Sequence, residues 1–365
     1  MIVTALSLLA AAPLSQADNK RFNDSIAAVG QRYGLHGEIA VSRGNDTWVI
    51  DTIPRSDNRE DLARGGLTGP AGDRVWRWAS VTKQVVATMV MQEAAAGRIN
   101  LDRPVSRYLP GFKSPNAPLI SVRHLLRHQS GLPNPDDTPK DAAGIPGYYT
   151  KQFSGSRDPL TGYCAGAVSG APGGRWSYNN CDYIVAGALL ERVTGKPWTT
   201  LVRERIAAPL KLTSLGAFPT IRPTVSGTVG KKPEPAIDLT VYRASAALFG
   251  TAADLLVFDR ALMTGKLLPA KQLAEMWDGQ PQLGSIALGQ WSFKAPLKGC
   301  AAPVRIIERR GEIGGVQVRN FILPEQDTAV AVFTDRGSDD FDFGEVWQGK
   351  GLSHDLLAAA ACPAA

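Results

Sequence analysis

Ser80 and Lys83 stand three residues apart at the head of an apolar stretch, Val81 to Ala96, that Gly97 closes. At helical spacing the two side chains lie on one face, one turn apart, so the lysine nitrogen can reach the serine hydroxyl. A serine at a helix start also has its backbone N–H near the positive end of the helix dipole. Lysine buried in such a helix is pushed toward its neutral form, and a neutral amine can take a serine's proton. The chemistry on offer is nucleophilic attack on a carbonyl. The same residues also read as a helix-capping serine beside an unrelated lysine, since Ser-x-x-Lys arises about once by chance in a chain this long.

A second group is Tyr178-Asn179-Asn180, again at an expected helix start. A phenol beside a cationic lysine has its pKa drawn down and can act as base or proton relay. Asn180 can hydrogen-bond both the lysine and a substrate amide. Taken singly, the two residues read as a packed tyrosine and a capping asparagine. A third group is Arg310-Gly311-Glu312-Ile313-Gly314-Gly315, before the apolar run from Val316. Its glycines let a substrate backbone lie against a strand edge, or simply form a hairpin. The N–H of Gly315 paired with that of Ser80 would make an oxyanion hole.

Other chemistries find no support. There is no Gly-x-Ser-x-Gly nucleophile elbow, and neither glycine-rich phosphate cradle occurs. His124 and His128 have i, i+4 spacing on an expected helix, but no carboxylate lies between them, so hydrogen bonding is favoured over a metal. No metal and no cofactor are expected. Lys and Arg number 40 against 34 Asp and Glu, a net +6 without any run of five like charges. That excludes a nucleic-acid-binding stripe and leaves a small-molecule or peptide substrate. No later segment is long and apolar enough for stable membrane insertion, and a monomer is the default.

These groups need elements to bring them together. A helix is expected over Asn19 to Tyr33, two short strands over 38–53 around Gly44-Asn45-Asp46, and a polar, glycine-rich stretch over 55–73. Helices at 121–128, 179–193 and 197–208 alternate with long Pro/Gly loops, above all 131–176. Residues 223–238, rich in Pro and Lys, read as an exposed connection. Helices at 251–264 and 270–277 precede β-branched runs at 285–294, 303–309, 316–323 and 328–334, and a last helix covers 344–361. The fold class is therefore α+β: an antiparallel sheet flanked by helices, with an inserted all-helical region. The expected division is 18–100 with 245–365 as the sheet domain and 101–244 as the helical, loop-rich one. The site belongs in the cleft between them.

Residues 1–17, uncharged with an apolar run from Ile2 to Ala12, have the pattern of a cleavable export signal. Four cysteines without a Cys-x-x-Cys pair fit two disulfides in an exported protein, with three possible pairings. Proximity favours Cys164–Cys181, which leaves Cys300–Cys362.

The ordered Ser-x-x-Lys, Tyr-x-Asn and x-x-Gly groups resemble the serine beta-lactamase/penicillin-binding protein superfamily. The nearest branch is the class C beta-lactamase-like group of DD-peptidases, D-amino-acid peptidases and carboxylesterases. The stretch RWASVTKQVVATMVMQEAAAGRINLDRPVSRYLPGF resembles its nucleophile helix, and SVRHLLRHQSGLP its His-Ser-Gly segment. WSYNNCDYIVAGALLERVTGKPW resembles its tyrosine helix, and GEIGGVQVRNFILPEQDTAVAVFTDR its last strands. The resemblance implies a beta-lactamase-like fold and an acyl-enzyme on Ser80. It gives Lys83 and Tyr178 the proton transfers, Asn180 the substrate, and Gly314 and Gly315 the third motif. That motif usually opens with Lys or His, where this chain has Glu312, followed by Ile313. Glu312 would repel a substrate carboxylate and favour a charged Lys83, unless Arg309 or Arg310 supplies the cation. The expectation is a periplasmic or secreted serine hydrolase of esters or amides, including substrates that bear an amine. The alternatives are a true class C beta-lactamase or D-Ala-D-Ala carboxypeptidase, and a non-catalytic module that binds cell-wall fragments.

Overall fold

The structure, a computed structural model, describes residues 16–52 and 72–362. All but the end of the expected export signal, and the polar stretch up to residue 71, lie outside the described residues.

Eleven strands are found among the described residues: β1 Gly37–Arg43, β2 Asp46–Asp51, β3 Trp76–Arg77, β4 Gly216–Ala217, β5 Thr228–Val229, β6 Lys232–Pro233, β7 Leu248–Gly250, β8 Trp291–Ala295, β9 Val304–Ile313, β10 Val316–Leu323 and β11 Thr328–Thr334. Six form one antiparallel sheet in the order β2-β1-β11-β10-β9-β8. β1 pairs with β11 from Gly37↔Thr334 to Arg43↔Thr328, so the two ends of the chain share one sheet. β10 is buried on both faces because alternate residues serve two cores. Phe321 and Leu323 pack under the terminal helices Gln16–Arg32 and Leu352–Ala361, with Phe22, Ile26 and Leu357. Val318 and Ile322 face the other core, which holds Val85, Met89 and Phe258. Those residues come from the helices Thr82–Ala95 and Ala252–Met263. The sheet is thus the middle of three layers.

The Thr82–Ala95 helix is buried around nearly its whole girth, as its apolar composition dictates. It packs against the helix Asn180–Thr194. Asn179 caps that helix by accepting from Cys181 N, and Gly195 ends it at φ 70°. Disulfides join Cys164 to Cys181 and Cys300 to Cys362.

Several segments differ from the pattern reading. β9 runs on to Ile313 instead of stopping at 309, because charged Arg309 and Arg310 hide a strand that the β-branched residues only begin. The run 285–294 yields a strand only from Trp291, and the last helix starts at Leu352 instead of 344. The helix expected over 121–128 is Val122–Leu126, which leaves His128 beyond it at φ 57°. Residues 223–238 are more than an exposed connection: they carry the β5–β6 hairpin, buried Val225 and a shielded Glu234. Two-residue β3 and β4 and three-residue β7 form a small second sheet that periodicity over so short a length cannot reveal.

Candidate active site

The second sheet is what carries Ser80. Trp78 N donates to Leu248 O at 3.0 Å and Leu248 N to Thr82 Oγ1 at 3.1 Å, which stitches the chain on either side of the serine to β7. Between them the chain makes a 3₁₀ turn, Ala79–Val81, with Ala79 at φ 44°, a backbone state that L-residues rarely adopt. Ser80 therefore sits on a tight turn that leads into the helix, not at the helix N-cap itself.

Lys83 follows at the first turn and is fully buried. Its Nζ lies 2.9 Å from Ser80 Oγ, 2.7 Å from Tyr178 Oη, 2.7 Å from Asn180 Oδ1 and 2.9 Å from the Ser245 carbonyl. Ser80 Oγ and Tyr178 Oη are 2.6 Å apart. Four sequence-predicted residues thus meet at one point, across 100 residues of chain. Burial, then the Arg309 charge, holds Lys83 well below the ordinary lysine range, against the opposing pull of Asp136. Asn180 Oδ1 and the Ser245 carbonyl can only accept. They take the two N–H bonds of a neutral amine and leave its lone pair for the Ser80 or Tyr178 hydroxyl.

Tyr178 departs from the expectation of a phenol drawn down by a lysine cation. Burial raises its pKa, and Arg309 only partly offsets that. A neutral Lys83 has no charge with which to lower it, so Tyr178 rests as a protonated hydroxyl.

Asn180 opens its helix and is held from the other side. Its Nδ2 donates to Asp136 Oδ1 and Oδ2 at 3.1 Å each and to Tyr149 Oη at 2.9 Å. Tyr149 in turn donates to Asp136 Oδ1 at 2.6 Å. These contacts turn the Asn180 carbonyl toward Lys83. Asn134 fastens the same loop by donating to Tyr178 O at 3.2 Å and accepting from Asn180 N at 3.1 Å.

The third group needs a correction of register. Gly314 and Gly315 form the two-residue turn between β9 and β10, with Gly314 at φ 59°. Gly315 N donates to Glu234 Oε2 at 2.8 Å, so it is no partner for Ser80 N. Arg77, in a bidentate pair with Glu234, also donates to Ile313 O at 3.1 Å and pins the turn. Glu312 is exposed, its Oε1 accepting from Ser338 N and Oγ at 2.9 Å. Its carboxylate is also not among the charges that act on Lys83.

The residues at the serine are three positions earlier. A Cβ on Gly311 would stand 2.8 Å from Ser80 N and 2.7 Å from Trp78 O, so only glycine lets β9 lie against the Ser80 turn. Arg309, fully buried, donates from Nε to Ser80 O at 2.9 Å, and its Nη2 lies 3.5 Å from Tyr178 Oη. Its guanidinium sits over the Trp291 and Tyr178 rings at 5.4 and 5.5 Å. The group that faces the serine is Arg309-Arg310-Gly311. A basic residue two before a glycine was the available signal, masked by the more conspicuous Gly314-Gly315 pair.

Because Ile313 and Val316 flank a two-residue turn, they exchange both ladder bonds, and Glu312 N–H points to the other edge of β9. β8 stops there at Trp291, opposite Glu308. Beside this edge opens a cleft of about 780 Å³, lined among others by Ser80, Asp136, Tyr178, Trp291, Arg309 and Glu312.

His124 and His128 are placed as hydrogen-bonding residues. His124 completes a capping box with Ser121. His128 is fully buried against Tyr178 and Asp182, and burial lowers its pKa well below the usual value. The sequence offered no signal for Asp136, Tyr149 or Ser245, which reach the site from loops and a short helix.

Residues 22–352 match the family described as Beta-lactamase. The chain is 35% identical over 229 residues to Esterase EstB of Burkholderia gladioli, covering 58% of this chain and 54% of that one. It is 27% identical over 273 residues to the Putative penicillin-binding protein PbpX of Bacillus subtilis (strain 168), covering 70% and 62%. The chain thus spans less than two thirds of the length of either relative. Among solved structures, the D-amino acid amidase of Ochrobactrum anthropi SV3 superposes with a TM-score of 0.73 at 22% identity, over 93% of this chain and 98% of that one. At that identity the likeness concerns the fold.

Proposed function

The chain belongs to the beta-lactamase family, and on that premise we propose that it is a serine hydrolase that opens esters or amides through an acyl-enzyme on Ser80. The observation that carries this reading is the contact of Ser80 Oγ with Lys83 Nζ at 2.9 Å and Tyr178 Oη at 2.6 Å in a water-accessible cleft. Ser80 Oγ attacks the carbonyl carbon while its proton passes to the neutral Lys83 amine, directly or through the Tyr178 hydroxyl. The N–H groups of Ser80 and Glu312 receive the oxyanion. Tyr178 then donates a proton to the leaving group and is resupplied from Lys83. Water attacks the acyl-enzyme by the same proton path in reverse, and Ser80 is regenerated.

A second reading, action on a beta-lactam or a D-Ala-D-Ala stem, draws support from Arg309. It supplies the third-motif cation that Glu312 denied, and its Nη1 is buried with no hydrogen-bond partner among the described residues. A substrate carboxylate is the group that such a donor accepts best. The esterase and penicillin-binding names of the two relatives correspond to the two readings. A purely binding role is disfavoured, since it would need neither a neutral buried lysine nor a strained serine turn.

The reaction is placed outside the cytosol. Two disulfides support this. Among the described residues no helix is long and apolar enough to cross a membrane. The sheet domain, 18–100 with 245–365, would supply Ser80 and β9, and the helical one, 101–244, Tyr178 and Asn180; the protein would act as a monomer.

A fluorophosphonate probe and a panel of p-nitrophenyl esters, amino-acid amides and nitrocefin, run on the wild type and on Ser80→Ala, test the proposal. Covalent mass on Ser80 with turnover is expected, and both vanish in the variant. Equal labelling of the variant would remove the acyl-enzyme reading, and nitrocefin turnover selects the second.

A further inference from the structure

We infer that Asp136 is the anchor for a protonated amine that the substrate carries close to its scissile carbonyl, as in an amino-acid amide or ester. The inference rests on the acyl-enzyme reading and names its substrate class.

Asp136 lines the cleft with Ser80. Its two oxygens accept from neutral donors only, the Asn180 amide and the Tyr149 hydroxyl. Burial and the Asp136 charge hold Tyr149 well above the ordinary tyrosine range, so it stays a donor. A carboxylate offers about four acceptor sites, and three are used. Among the described residues no Lys, Arg or His pairs with it, although Lys140 lines the same cleft. Elsewhere the shielded glutamates have arginines: Glu38 has Arg74, Glu93 has Arg98 and Arg205, and Glu308 has Arg310 and Arg319. Asp136 thus keeps an open acceptor site and an uncompensated charge where a substrate lies. Tyr149, stacked on Tyr242 at 4.2 Å, adds aromatic surface that suits a cation.

Position fixes which amine. Asn180 separates Asp136 from Lys83, with 3.1 Å on one side and 2.7 Å on the other, and Lys83 Nζ is 2.9 Å from Ser80 Oγ. An ammonium on Asp136 is therefore about one side chain from the reacting carbon. It also neutralises the one cleft-lining carboxylate that opposes a neutral Lys83, so binding favours the base form that acylation needs.

The test compares three p-nitroanilides on the wild type: phenylalanyl, N-acetylphenylalanyl and des-amino 3-phenylpropionyl. kcat/KM for the free amine should exceed that of the other two by about 100-fold, the scale of a shielded charge pair. In Asp136→Asn that ratio should collapse toward one, and Asp136→Glu should restore part of it. A wild-type ratio near one overturns the inference, whatever the variants do. So does a ratio that survives in a folded Asp136→Asn. In both cases continued labelling of Ser80 leaves the acyl-enzyme reading standing. Loss of all turnover together with absence of labelling in the wild type overturns both.

Discussion

Lys83 has no exposure to solvent, and its nitrogen is surrounded by four oxygens, two of which can only accept. In the proposed mechanism those facts make it the base. Below its depressed pKa the amine is protonated and cannot accept the serine proton, so kcat/KM for a non-ionising ester should fall as pH drops through that value. It should hold level above it, far short of the ordinary lysine range. The neighbours give the sign of each shift. Arg309 lowers the Lys83 pKa, so Arg309→Gln should move the acid limb to higher pH. Asp136 raises it, so Asp136→Asn should move the limb to lower pH. A pH–rate profile on the three proteins checks both directions, and shifts of one sign in both variants would contradict the charge assignment. Ser80, Lys83, Tyr178 and Asn180 were legible because each pair is close in sequence and set at a helix start. Arg309 was not, since nothing local marks which basic residue of β9 turns toward the serine.

Elements decide how these residues meet. β9 can lie against the Ser80 turn only while position 311 has no side chain. Gly311→Ala should push the strand away, cutting kcat by about 100-fold or more and costing about 1–3 kcal/mol of stability. The check is acylation rate alongside denaturant unfolding. Gly34→Ala has open space around it and strain only from its φ of 62°, so it should lose some stability but no acylation rate. The loop that carries Asp136 and Tyr149 is tied to the Asn180 helix by Cys164–Cys181, 17 residues apart. Replacing both cysteines by serine should cost about 3 kcal/mol, the chain-entropy value for such a loop. It should also raise KM by freeing Asp136 and Tyr149. Thermal unfolding and substrate saturation curves measure the two effects separately.

At the scale of the whole molecule, charge burial shapes stability. Asp182 and Asp259 are fully buried, and burial raises both well above the carboxylate range. The folded protein keeps their protons, while the unfolded chain releases them from about pH 4 upward. Stability from these two groups is therefore full in acid and is lost as pH rises toward the raised values. Asp259→Asn keeps an acceptor for Asn320, which lies 3.0 Å from Oδ1, and removes the ionisation. Its Tm should rise relative to wild type at pH 8 more than at pH 4, and calorimetry at the two pH values decides it. By itself the sequence determined the periodic elements, the Ser80–Lys83 spacing, a preference for Cys164–Cys181 among three possible pairings, and a sheet with helices on its faces. Each follows from residues near one another or from composition. Tertiary structure alone decided the register of β9 on Ser80, the arrival of Asp136 and Tyr149 beside Asn180, and the protonated state of Tyr178. Which residues of a strand come to face a distant turn is not marked in their local sequence, and desolvation exists only once distant segments have closed over a group.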